Sequence, residues 1–203
     1  MKANAVCMVA VVVAVGACET KPGAVPAPVA TMAPEPSAAD RLARGAYLVS
    51  FGGCNDCHTP KAMTERGPLP DQARLLSGHP ASQTLAPIPA GVLAIDQWAA
   101  ATNIHSTAWS GPWGTSYASN LTPDVDTGLG AWSEDLFVKS MRTGRHLGIG
   151  REILPPMPWP SLAGLTDDDL QAIWSYLKSV PAVSNEVPEP LPPSGPPTIT
   201  PAG

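Results

Sequence analysis

The sequence predicts a domain built from α-helices. Three segments carry apolar residues at helical spacing, and each is bounded by residues that favour helix ends. Between the first and the second, residues 59–111 are rich in Pro, Gly and Ser and hold no period for long, so we expect an irregular loop there. One short motif, Cys54-Asn55-Asp56-Cys57-His58, directly follows the first helical segment. It is the most specific sequence feature of the chain.

The first helix is predicted to begin near Ser37 or Asp40 and to run towards Ser50. Its apolar residues recur at helical spacing at Leu42, Ala46 and Val49. Gly45 lies inside this helix, where glycine costs roughly 1 kcal/mol relative to alanine. We therefore expect another backbone to approach it closely. Phe51-Gly52-Gly53 ends the helix just before the cysteine motif.

Two further helices have clearer boundaries. Ser133 is predicted to cap the second, and Gly144 is predicted to end it. Thr166 is predicted to cap the third, whose first turn holds three aspartates and which closes before Pro181. The apolar faces are Leu136, Phe137 and Met141 in the second helix, and Leu170, Ile173, Trp174 and Leu177 in the third.

The C-x-x-C-H motif indicates covalent attachment of one c-type haem. Cys54 and Cys57 can each add to a vinyl group of the porphyrin, and His58 is then placed to bind the iron as an axial ligand. Two alternatives compete with this interpretation. A thioredoxin-like motif is expected beside a βαβ pattern, which is absent. A zinc site requires further ligands, whereas the other histidines, at 79, 105 and 146, are scattered.

Met157 is the expected ligand on the opposite side of the iron. It lies in Ile153-Leu154-Pro155-Pro156-Met157-Pro158-Trp159-Pro160, where proline on both sides predicts an extended, non-helical backbone. Such a backbone can hold a thioether in place with little loss of conformational entropy. Met141, on the apolar face of a helix, is predicted to be core filler. His79, His105 and His146 are predicted to be loop or surface residues.

The N-terminal residues predict export and lipid anchoring. Residues 1–17 combine one positive charge with a short apolar run, as in a secretory signal peptide. Val15-Gly16-Ala17-Cys18 resembles the lipobox of bacterial lipoproteins, which implies that Cys18 is lipidated; the alternative is nearby cleavage with Cys18 left as a free thiol. Cys7 would leave with the signal peptide, so no disulfide is predicted. Glu19 after the cysteine favours the outer membrane.

The chain is expected to have four parts: a signal peptide (1–17), a Pro/Ala-rich lipid-anchored linker (18–37), a cytochrome domain with one haem (38–183) and a Pro-rich disordered tail (184–203). The formal charge of −5 argues against nucleic-acid binding. It favours a partner with a basic docking surface instead.

The sequence resembles the class I c-type cytochromes, and more closely the cytochrome c domains in the haem subunits of bacterial membrane-bound dehydrogenases. The matching segments are Arg44–Leu48, Cys54–His58, Asn120–Asp124, Thr127–Gly130, Pro156–Pro158 and Asp168–Leu177. The resemblance implies an all-α cytochrome c fold, with a long irregular insertion between the haem motif and the Met ligand loop. It also implies that the first and last helices cross, with Gly45 against the face that carries Trp174 and Leu177.

The predicted function is electron transfer without catalysis. The chain would be a periplasm-facing cytochrome that exchanges single electrons with redox partner proteins, either a dehydrogenase or an oxidase. Met157 would close the iron position that an enzyme needs open. The alternative is a haem-based ligand sensor or a minor peroxidase with an open sixth site, in which His105 could serve as a distal group.

Overall fold

Helices and two small antiparallel sheets make up the part of the chain that the structure describes. The computed structural model describes residues 35–88, 93 and 98–193, and every element lies in the unit that begins at Pro36. The helices are α1 (Ala38–Phe51), α2 (Cys54–His58), α3 (Glu134–Thr143), α4 (Trp159–Ala163) and α5 (Asp167–Ser179). The strands are β1 (Lys61–Thr64), β2 (Gly67–Pro70), β3 (Ala101–Thr102), β4 (Ala108–Gly111) and β5 (Gly114–Tyr117). The prediction of an all-α fold is therefore wrong.

The three predicted helices are confirmed, with their caps. Ser37 Oγ accepts the amide of Asp40 at 3.2 Å at the start of α1. The N-cap side chains of α3 and α5, Ser133 and Thr166, accept backbone amides in the same way. Gly144 ends α3 with φ of 65°, a left-handed conformation that glycine adopts without strain.

Helices α1 and α5 cross at Gly45, as the resemblance implied. A Cβ built on Gly45 would lie 2.0 Å from the carbonyl oxygen of Ala172 and 2.8 Å from Cβ of Tyr176. The nearest atoms thus belong to Ala172 and Tyr176 rather than to the predicted Trp174 and Leu177. At the edge of the crossing, Arg44 Nε donates to Asp169 Oδ1 at 2.8 Å.

The hydrophobic core lies between α1, α3 and α5. Its buried side chains include Leu48, Val49, Phe137, Met141, Leu170, Ile173, Trp174 and Leu177. The rings of Phe137 and Trp174 pack with centroids 5.5 Å apart. Arg142, in the last turn of α3, donates to the carbonyl oxygens of Ala163 and Leu165, and so fixes the link between α4 and α5 against α3.

The predicted irregular loop over residues 59–111 contains ordered sheet structure. Strands β1 and β2 form an antiparallel hairpin in which Lys61 pairs with Pro70 and Thr64 with Gly67. Strands β3, β4 and β5 form a second antiparallel sheet in that order. Local periodicity did not reveal these strands because β1 is largely exposed and β2 carries two prolines. In β5 the buried positions are Gly114 and Ser116, so burial there does not follow an apolar pattern.

The segment after α5 is attached to the domain beyond the predicted boundary at residue 184. Asn185 Nδ2 donates to the carbonyl oxygens of Ser77 and His79, at 2.7 and 2.8 Å. Its Oδ1 accepts the amide of Ala81 at 2.9 Å. Further along, Leu191 pairs with Thr115 of β5. Asn185 and Leu191 therefore have defined contacts within the segment for which the sequence predicted disorder.

The predicted signal peptide, Cys18 and most of the predicted linker lie outside the described residues, as do residues 194–203 of the tail. Among the helices that are described, none has the length and apolar character needed to cross a membrane.

Candidate haem site

The cysteine motif forms the short helix α2. Gly53 precedes it with φ of 64°, and a Cβ there would lie 2.8 Å from Asp56 Oδ2, so glycine suits this turn. Cys54 and Cys57 are free thiols and are partly buried. Burial is the largest cause that raises the pKa of each thiol. The turn therefore presents both thiols on one short helix, unbridged.

Lys61 closes the C-terminal end of α2. Its Nζ donates to the carbonyl oxygens of Asn55, Asp56 and Thr59, at 3.0, 2.9 and 2.7 Å. A cation at this end satisfies carbonyl groups that the helix leaves without partners. Lys61 belongs to no motif in the sequence, although a lysine soon after a helix end is a recognisable signal for such a contact.

His58 is oriented by a backbone carbonyl. Its Nδ1 lies 2.7 Å from the carbonyl oxygen of Ser119. Because a carbonyl oxygen can only accept, Nδ1 carries the proton and the lone pair of the neutral imidazole is on Nε2. Burial, the largest cause, lowers the pKa of His58, and the Ser119 carbonyl opposes this shift. The side chain is thus held as the tautomer whose Nε2 can bind a metal.

The Ser119 carbonyl is held in turn by close backbone packing. Gly78 has φ of 81°, and a Cβ there would lie 2.5 Å from the carbonyl oxygen of Ala118 and 2.7 Å from the carbonyl carbon of Ser119. The amide of Gly78 donates to the carbonyl oxygen of His58 at 2.7 Å. Glycine at 78 therefore lets one segment contact both His58 and the group that orients it.

A second set of hydrogen bonds fixes the chain just after the motif. Thr59 Oγ1 donates to Asn55 Oδ1 at 2.7 Å and accepts the amide of Leu76 at 2.8 Å. Leu76 is buried and has φ of 61°, which is unusual for a residue with a side chain. Its carbonyl accepts the amide of Leu121 at 2.8 Å. The segments around residues 59, 76 and 121 are thereby connected.

Met157 lies outside the helices and is partly buried against the same core cluster that Cys54 contacts. The backbone around it is not uniformly extended: a turn occurs at Pro155-Pro156, and α4 begins at Trp159. Met141 is 9% exposed and belongs to the core between α1, α3 and α5. Its position agrees with the prediction that it is core filler.

The other histidines have structural contacts, and one of them is a buried loop residue. His79 is 0% exposed, with Nδ1 2.9 Å from Thr107 Oγ1 and its ring 4.9 Å from that of Tyr117. It lies in a loop, as one of the two predicted alternatives has it, but it is buried rather than at the surface. His105 Nδ1 accepts the amide of Lys61 at 3.0 Å. The ring of His146 lies edge-on to Trp132.

These residues fit a covalently bound haem. Two unbridged thiols stand on one short helix, and the adjacent imidazole has its lone pair on Nε2. Met157 supplies a thioether at the edge of the core cluster that one of the thiols contacts. Within the described residues, no group of three or more His, Cys, Asp or Glu side chains could hold a metal ion by themselves.

Comparisons with known proteins give relatives among dehydrogenase subunits. No family model matches the chain. The alcohol dehydrogenase (quinone) cytochrome c subunit of Gluconobacter oxydans is 34% identical over 155 residues, which cover 71% of this chain and 28% of that protein. The gluconate 2-dehydrogenase cytochrome c subunit of Pantoea cypripedii is 43% identical over 65 residues, or 32% of this chain and 14% of that protein.

A third relative is a nicotinate dehydrogenase subunit of Pseudomonas putida, 33% identical over 147 residues, which are 72% of this chain and 9% of that protein. The chain thus spans less than a third of the length of these relatives. Its homologues include cytochrome c subunits of dehydrogenases, and this similarity supports its interpretation as a cytochrome c of that kind.

Proposed function

We propose that the chain is an exported c-type cytochrome that carries single electrons to or from a dehydrogenase. One haem c is attached through Cys54 and Cys57, with His58 and Met157 as the axial ligands of the iron. The observation that carries this proposal is the 2.7 Å contact of His58 Nδ1 with the Ser119 carbonyl, beside two free thiols. The choice of partner is supported by relatives that are named as cytochrome subunits of dehydrogenases.

The residues of the chain have distinct tasks in this proposal. The two thiols fix the haem covalently, and the Ser119 carbonyl keeps Nε2 of His58 directed at the iron. The iron supplies a centre that changes oxidation state by one electron. Ligation by histidine and methionine raises its reduction potential relative to harder ligands. With His58 and Met157 as its ligands, the iron would have no open position for a substrate, so the chain would act as a carrier and not as an enzyme.

The proposal extends to localisation and docking. The signal peptide (1–17) directs export, and lipidated Cys18 anchors the linker and the domain to a membrane on its periplasmic side. The net charge of −5 favours a partner whose docking surface is basic. Replacement of Cys18 by Ser should release the protein from membranes after a salt wash, and mass spectrometry should find acyl chains only on the native N-terminus.

Carbon monoxide binding tests the closed iron site. With Met157 bound, the reduced protein should change its spectrum slowly or negligibly when carbon monoxide is added at neutral pH. Met157→Leu should bind carbon monoxide rapidly and lose the far-red charge-transfer band of the ferric protein. Met141→Leu is the matched control, because it also removes a thioether at nearly constant volume, and it should behave as the native protein does.

Rapid and complete conversion of the native protein by carbon monoxide would contradict the carrier proposal. That result would favour the other class of function, a ligand-binding sensor or a peroxidase with an open sixth site. If Met141→Leu alone removed the band, the assignment of Met157 as the ligand would be wrong.

A further inference from the structure

Strand β5 and the residues just after it contact two separate parts of the candidate haem site. Trp109 of β4 and Ser116 of β5 lie directly opposite each other in the antiparallel register. The indole N–H of Trp109 donates to the carbonyl oxygen of Ser106 at 2.9 Å. Two residues beyond β5, the carbonyl oxygen of Ser119 accepts from Nδ1 of His58 at 2.7 Å. Ser116 lies against the loop that carries Met157. The segment from Ser116 to Ser119 therefore joins the ligand loop to the carbonyl group that orients His58.

Ser116 holds the ligand loop by a short hydrogen bond. Its Oγ lies 2.5 Å from the carbonyl oxygen of Pro155, two residues before Met157. Because that carbonyl can only accept, the Ser116 hydroxyl is the donor. The oxygen of Ser116 also accepts the indole N–H of Trp113 at 3.3 Å. Ser116 as a whole is 8% exposed, so these contacts are largely shielded from water.

The ligand loop has few donors with which to fix its own backbone. Pro155, Pro156 and Pro158 carry no amide hydrogen, so only Leu154 and Met157 can donate between residues 154 and 158. The amide of Met157 donates to the Leu154 carbonyl at 3.3 Å. A loop so poor in N–H groups depends on donors from neighbouring elements to hold its carbonyls in place. Ser116 is such a donor.

We propose that Ser116 is a positioning residue for Met157, so that the three-stranded sheet sets how firmly the thioether stays on the iron. This inference rests on the proposed function, which assigns Met157 as an axial ligand. The hydroxyl fixes the Pro155 carbonyl, and the turn at Pro155-Pro156 transmits that position to Met157. Loss of the hydroxyl frees the loop without altering any group that touches the iron.

Ser116→Ala tests the inference, with Ser110→Ala as the matched control. Ser110 lies in the same hairpin, and its Oγ is 2.7 Å from Thr115 Oγ1. Both substitutions therefore remove one hydroxyl, and with it a hydrogen bond, from the same sheet, but only Ser116 contacts the ligand loop. Loss of a buried hydrogen bond of this kind corresponds to about a tenfold change in an equilibrium.

In Ser116→Ala we expect carbon monoxide to bind the reduced protein about tenfold faster than in the native protein. When the pH is raised, the far-red band of the ferric variant should disappear at a lower pH than the band of the native protein does. The backbone amide of Met157 should exchange its hydrogen for deuterium faster than in the native protein. Ser110→Ala should match the native protein in all three measurements. Far-UV circular dichroism and covalent haem content, unchanged in both variants, establish that the fold is retained.

The outcomes separate the two proposals. If the native protein lacks the far-red band, Met157 is not the ligand and the proposed function fails. If the native protein has the band and Ser116→Ala behaves as Ser110→Ala does, the ligand assignment stands and the inference about Ser116 is overturned. A lower unfolding midpoint in Ser116→Ala with an unchanged carbon monoxide rate overturns it as well, because the role would then be structural only.

Discussion

The crossing of α1 and α5 makes Gly45→Ala a sharp test of the fold. Alanine would place a Cβ 2.0 Å from the Ala172 carbonyl oxygen, whereas ordinary contacts begin at 3.4 Å. The obstructing atom is backbone, so it cannot turn aside as the end of a flexible side chain would. The helices must separate, and the buried residues Leu48 and Val49 of α1 would lose packing against α5.

The cost can be estimated from two opposing effects. Alanine is favoured over glycine inside a helix by about 1 kcal/mol. Overpacking of this kind costs typically 1–3 kcal/mol, occasionally more, and here it is accompanied by loss of core contacts. We expect Gly45→Ala to lower the free energy of unfolding by about 2 kcal/mol net. At an m value of about 2 kcal/mol/M, the urea midpoint should fall by roughly 1 M.

Urea unfolding followed by far-UV circular dichroism is the assay, with Gly164→Ala as the control. Gly164 follows α4 with φ of −84°, and a Cβ there would meet only the Ser161 carbonyl oxygen at 3.4 Å. The control should change the free energy of unfolding by no more than about 0.5 kcal/mol. Equal midpoints for the two variants would refute the close approach of α1 to α5 at Gly45.

Two further predictions concern contacts that tie distant segments together. Arg44 lowers the pKa of Asp169 chiefly through its hydrogen bond, so the stabilisation by this pair is present above the ordinary carboxyl pKa of about 3.9 and is lost as the pH falls through the lowered value. The difference in unfolding midpoint between the native protein and Asp169→Asn should therefore shrink below about pH 4; a constant difference would contradict the pairing. Asn185→Ala should lower the free energy of unfolding by about 1–3 kcal/mol, because three backbone groups lose their partner. Glu189→Gln, on the same segment and 88% exposed, should change it by less than about 1 kcal/mol.

The helices could be predicted from sequence because their signals are local. Ser133 and Thr166 cap the helices that follow them directly, and apolar spacing identifies the buried faces. The sheets give no such signal. Strand β1 is largely exposed, and β5 buries Gly114 and Ser116, so neither shows apolar alternation. The error in fold class arises from these short strands.

The candidate site was predictable where the chemistry depends on residue type. Cys54, Cys57 and His58 form a recognisable motif at fixed spacing. The group that orients His58 is the backbone carbonyl of Ser119. Every residue type has this carbonyl, so the residue at position 119 gives no signal of the contact. The burial of His79 was not predictable for a related reason. Its burial depends on Thr107, 28 positions away, and a pairing at that distance leaves no local pattern.

Covalent attachment of haem at Cys54 and Cys57 tests the central claim most directly. The mature protein should be denatured, separated on a gel and stained for haem peroxidase activity. Thioether bonds survive unfolding, so the native protein should stain, and Cys54→Ala/Cys57→Ala should appear at the same position without stain. A colourless native band from a correctly matured sample would contradict the account.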